Sequence, residues 1–212
     1  MRKVVTLITA VVITLTGTVA VTAFGRDASR SGNRAKVTIV SDLWFELVGQ
    51  SQNSATGVIP VTHIHYGYLS WVKGVSTFGV PLDEATAKFT FFADGTTSPV
   101  ISDGPLRSVT RVGTLTIYRD PSTNSDFANP DTFRDGTPVL IARYRHQGIN
   151  STLTGAISLF SQDTITFTRP FDSGHGKVQL GKVGERFTEH YTGQNNMPGP
   201  PSAYFIGYAV SR

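Results

Sequence analysis

From residue 36 onward the chain is a succession of short runs in which apolar and polar side chains alternate. Each run is closed by glycine, proline or Asx-rich segments. Alternation with a period of two marks a β-strand, because successive side chains leave opposite faces. Strands are expected at 37–40, 43–48, 61–72, 87–93, 106–112, 114–118, 139–147, 152–160, 164–168, 178–183, 186–191 and 204–210. In three of them the pairing of faces is plain. Phe89 and Phe91 share one side, as do Leu115 and Ile117, and Leu140, Ala142, Tyr144 and His146 lie opposite Val139, Ile141, Arg143 and Arg145. Between the runs, 49–57 is a polar loop and 73–81 is broken by Gly74, Gly79 and Pro81. Asp94-Gly95 and Asp103-Gly104 read as turns of the hairpin kind. The longest irregular stretch is 119–136, and 193–201 is too rich in proline and glycine for helix or central strand.

No window shows sustained helical spacing, and 82–88 has room for one helical turn. No internal repeat is visible, which argues against a propeller or solenoid. The expected fold is all-β: a single-domain antiparallel β-barrel or strongly curved sheet, with little or no helix and a β-sandwich as the alternative. The barrel is favoured because several strands carry bulky or semi-polar groups on both faces, and small barrels enclose such groups in their interior.

The run from Val61 to Val72 is the densest in aromatic and imidazole side chains. Read as a regular strand, one face carries Val61, His63, His65, Gly67, Leu69 and Trp71. The other carries Thr62, Ile64, Tyr66, Tyr68, Ser70 and Val72. Neither is plainly a solvent face. Gly67 marks a bulge, a bend or the close approach of another group.

Composition narrows the setting. The 212-residue chain opens with Arg2 and Lys3 and an apolar run over 4–21, followed by Val21-Thr22-Ala23. This is the pattern of a signal peptide cleaved after Ala23, with an uncleaved membrane anchor as the alternative. Residues 24–35 then read as a flexible arm and 36–212 as the domain. The leader holds two of the 19 basic residues and no acid, so the remainder has 17 against 15 acidic residues. That near balance argues against a dedicated nucleic-acid binder. There is no cysteine, so disulfides and thiolate metal sites are excluded. The expected location is secreted, or periplasmic or extracellular, with no membrane contact after leader removal.

Candidate chemistry centres on Val61–Val72. His63 and His65 point the same way, and two imidazoles converging from one face are half of a metal site. A third ligand is required, and His146 is the best match by residue type. The fragment resembles half of the cupin metal motif, but the expected glutamate position is Leu69 or Ser70, so no metal ligand and no cofactor are assigned. The expected site is an apolar pocket with a few polar groups: His63, His65, Tyr66, Tyr68, Trp71, Phe89, Arg143, Tyr144 and His146. Its expected partner is a small, partly apolar molecule bound without chemistry. The alternatives are a barrel enzyme of isomerase or cyclase type using a histidine as acid or base, or an extracellular structural or interaction protein. There is no Gly-x-Ser-x-Gly elbow and no phosphate-binding glycine loop. The Asx residues of 119–136 lack calcium-loop spacing and are better read as Asx turns.

Overall fold

The computed structural model describes residues 36–53, 61–98, 100–195 and 203–211. The expected leader and the whole of the expected arm lie outside them. The described residues form twelve strands: β1 (Val37–Val40), β2 (Trp44–Asn53), β3 (Val61–Val72), β4 (Phe89–Thr97), β5 (Ile101–Asp103), β6 (Leu106–Arg119), β7 (Thr137–Ser151), β8 (Ala156–Thr168), β9 (Phe171–Asp172), β10 (Lys177–Leu180), β11 (Arg186–Asn195) and β12 (Ala203–Ser211). The only helical pieces among them are two 3-10 turns, Glu84–Thr86 and Pro130–Phe133.

Eight strands close into an antiparallel barrel in the order β4-β3-β2-β12-β11-β8-β7-β6, and the β4–β6 pairing completes the ring. Closure removes every sheet edge from the barrel wall. β5 pairs onto the start of β6. A separate small sheet, β1-β10-β9, pairs β1 parallel to β10. Its Phe171 and Leu180 join the barrel core, with the Phe171 ring 5.2 Å from Phe89. That end is apolar throughout: Phe45, Leu47, Leu69, Phe91, Ile117, Leu140, Ile165 and Phe187 are all buried there.

Several expected breaks are continuous strand. The polar run after Gly49 belongs to β2 as far as Asn53, Asp94-Gly95 lies within β4, and Gly113 lies within β6. β8 begins at Ala156 and runs unbroken to Thr168, with 152–155 as the turn before it. The glycines are present for space. A Cβ on Gly67 would meet Val48 O at 2.1 Å, and one on Gly113 would meet Asp94 O at 1.9 Å and the Tyr144 hydroxyl at 2.6 Å. Glycine inside a strand often marks such close approach.

One irregularity redirects the end of β3. Glu46 pairs with Trp71 while Leu47 pairs with Leu69, so Ser70 is the extra residue of a bulge. A bulge re-aims the side chains beyond it. Val72 therefore turns inward at 1% exposure and Trp71 outward at 39%, against the expected alternation.

The 119–136 segment covers the outer wall. Phe133, Phe127, Tyr118 and Phe92 pack there with Tyr66, Tyr68 and Ile64 as a second, smaller core outside the barrel. Asx turns hold it, as expected. Asp120 accepts from Ser122 N, Asp126 from Ala128 N and Asn129 from Asp131 N.

Candidate functional site

The barrel interior changes character along its length. Beyond the apolar half, inward positions carry His63 and His65 on β3, Arg111 on β6, Tyr144 and His146 on β7, Ser161 and Asp163 on β8, and Glu189 and Tyr191 on β11. Register explains the convergence. His63 sits opposite Gly95, Gly95 opposite Gly113, Gly113 opposite Tyr144, and Tyr144 opposite Asp163. Two glycines between the histidine and the tyrosine leave a trough in the wall. Across it the Tyr144 hydroxyl reaches His63 Nε2 at 2.7 Å and Asp94 O at 3.2 Å.

The three histidines form one group. Ring centroids lie 5.1 Å apart for His63–His65, 5.8 Å for His63–His146 and 5.4 Å for His65–His146, the last pair stacked. Tyr144 stacks on the other side of His146 at 5.2 Å. Burial is the first cause that lowers all three imidazole pKa values, to about 3 for His63, to about 2 for His146 and well below the ordinary value for His65. The positive charge of Arg111 is the second. All three are neutral at physiological pH.

Arg111 is the cation nearest this group. Its Nη1 donates to His65 Nε2 at 3.2 Å, Nε to Thr97 Oγ1 at 3.2 Å and Nη2 to Asn53 Oδ1 at 3.3 Å. All three acceptors are neutral, and no carboxylate forms an ion pair with Arg111 among the described residues. Burial lowers its pKa to about 10. A recess of about 350 Å³ lies at this end of the barrel, lined by Asn53, Val61, Thr97, Val100, Ser102, Arg107, Val109, Arg111 and Asn150. Deeper, a cavity of about 50 Å³ is lined by His65 and Arg111 together with Val109, Ile157, Leu159 and Phe205.

Across the interior lie two acids. Glu189 is raised to about 7 by burial, and its Oε2 accepts the Tyr191 hydroxyl. Asp163 is raised well above the ordinary carboxylate range by burial and then by the charge of Glu189, and neither of its oxygens has a hydrogen-bond partner.

Of the nine residues picked from sequence, His63, His65, Tyr144 and His146 meet in this chamber. Phe89 is interior but at the far, apolar end, against Phe171. Tyr66 and Tyr68 face outward beneath the 119–136 segment. Arg143 is exposed on the outer wall. Trp71 is also outside, edge-on to Trp44 at 5.4 Å, beside an apolar groove lined by Trp44, Val48, Ile206, Tyr208 and Val210. Sequence reasoning missed Arg111, Asp163 and Glu189. The signal for Asp163 lay in Leu159, Ser161, Asp163 and Ile165 sharing one face, but the run was divided at that point.

Fold and interior together define a closed eight-stranded antiparallel barrel with an apolar half and a polar, histidine-rich half. Comparison with protein-family models, with curated proteins and with solved structures finds no match to this chain.

Proposed function

We propose that this is an exported barrel whose polar end binds a small, partly apolar organic anion and performs no chemistry on it. The observation that carries the reading is Arg111, a half-buried guanidinium whose bonds among the described residues all go to neutral acceptors. A charge taken out of water is costly unless an opposite charge meets it. A carboxylate entering from the recess supplies that charge, and guanidinium matches carboxylate geometry with two parallel donors. Val61, Val100 and Val109 offer apolar wall for the rest of the ligand, and about 350 Å³ suits a small molecule. A histidine acid or base is disfavoured, because an imidazole with a pKa of about 3 is a weak base at neutral pH. Export rests on the leader pattern, and the mass of the protein recovered outside the cell tests it.

The binding test uses octanoate and benzoate against octanamide and benzamide, read by isothermal titration and thermal shift. The acids should bind and the amides should bind at least about tenfold more weakly, the scale of one charge-assisted hydrogen bond. Arg111→Met should remove that preference. Equal binding of acids and amides, or an Arg111→Met protein that retains the preference, defeats the proposal.

A further inference from the structure

We propose that His63, His65 and His146 form a binding site for a single divalent transition metal of the zinc, cobalt or nickel type, a site separate from the anion recess in what it binds. The three side chains each offer a ring nitrogen, and these nitrogens all lie within 4.8 Å of one another. All three residues are at least 96% buried, at 2%, 4% and 2% exposure. Tetrahedral coordination at about 2.0–2.1 Å places ligand nitrogens about 3.4 Å apart. Small rotations of side chains already gathered on two strands cover the difference.

Hydrogen-bond accounting points the same way. The Tyr144 hydroxyl has one proton and two neighbours, His63 Nε2 and Asp94 O. Both contacts are satisfied when His63 Nε2–H donates to the phenol oxygen and the phenol donates to the carbonyl. That tautomer leaves a lone pair on His63 Nδ1, and this atom is buried without a partner. His146 Nε2 is likewise buried without a partner. Buried polar atoms are rarely left so, and each costs about 1–3 kcal/mol when unmet. A metal ion accepts both lone pairs at once. The Nε2–H bond to Tyr144 is the kind of outer contact that fixes the tautomer and orientation of a metal-bound imidazole.

The donor set selects the ion. Three neutral imidazoles with no oxygen ligand suit zinc, cobalt, nickel or copper and do not suit calcium or magnesium. Three protein ligands leave a fourth position open, as in sites that bind a further group. Arg111 opposes the ion in two ways. It takes the lone pair of His65 Nε2 and adds a positive charge beside the cluster.

The test is titration of chelator-stripped, full-length purified protein with cobalt(II), without any organic ligand. One equivalent should bind, with visible absorption of a low-coordinate cobalt site that zinc(II) bleaches. The paramagnetically shifted proton spectrum should show exchangeable imidazole N–H signals from three histidines. His63→Ala and His146→Phe should each weaken binding by more than about a hundredfold, beyond the roughly 10–100-fold cost of losing an outer contact alone. Arg111→Leu should tighten it. His175→Ala and His190→Ala, outside the barrel, should leave it unchanged. Absence of stoichiometric cobalt binding, fewer than three shifted histidine signals, or unchanged binding in folded His146→Phe overturns the site. The N–H count reads the wild type, so the outcome stands even when a variant fails to fold. Loss of carboxylate binding in Arg111→Met leaves this inference untouched, and loss of cobalt binding leaves the anion reading untouched.

Discussion

Replacing His146 by phenylalanine should take a defined pH dependence out of the barrel's stability. His146 is stacked between Tyr144, at 5.2 Å and 22°, and His65, at 5.4 Å and 12°, so a phenyl ring preserves the stack. Burial, followed by the positive fields of Arg111 and His63, lowers its pKa from 6.5 to about 2. Between those values the unfolded chain holds a proton on this residue that the folded chain does not. Its contribution is therefore intact above pH 6.5 and is lost progressively as pH falls toward 2. Each unit below 6.5 costs about 1.4 kcal/mol, which comes to about 2 kcal/mol between pH 7 and pH 5. For a domain of this size that is roughly 4–8 °C in the unfolding midpoint. Urea unfolding of both proteins, with chelator present, measures the difference directly. Wild type should lose about 2 kcal/mol more than the variant on going from pH 7 to pH 5. Asp163 and Glu189 have the opposite slope, but both proteins carry them and the subtraction removes them. Parallel pH curves would refute the reasoning, since they would mean that His146 takes up protons in the folded barrel as readily as in the unfolded chain.

Three further outcomes follow from the same interior. Glu189→Gln should stabilise the barrel by about 3 kcal/mol at pH 8 and by little near pH 4. The folded pKa of Glu189 is raised to about 7, so its contribution is full below 4.5 and lost as pH rises through 7, and Gln keeps an acceptor for Tyr191. Thermal unfolding across that range checks it, and a pH-independent difference counts against it. Gly113→Ala should cost about 2 kcal/mol or more in urea, because its Cβ meets a backbone carbonyl at 1.9 Å that cannot rotate away. Tyr144→Phe should cost about 1–3 kcal/mol by leaving His63 Nε2 without its partner, and a neutral result would show that water takes over the bond.

Sequence alone determined the class of fold. Alternation along β4, β6 and β7 requires strands, and bulky groups on both strand faces favoured a barrel over a sandwich, while the β4–β6 pairing that closes the ring belongs to the tertiary structure. The sequence also placed His63 and His65 on one face and Leu140, Ala142, Tyr144 and His146 on another, because a period of two needs no knowledge of neighbours. Tertiary structure decided everything that depends on pairing. Only the bulge at Ser70 turns Trp71 away from the histidines, and only the packing of 119–136 makes Tyr66 and Tyr68 an outer core. Arg111, Asp163 and Glu189 carry the ordinary look of surface charges in sequence. Cross-strand register brings Arg111 opposite His146 and Ser161 opposite Glu189 inside a closed ring. Register is a relation between distant segments, so a local pattern reports which face a side chain takes and not which partners it meets there.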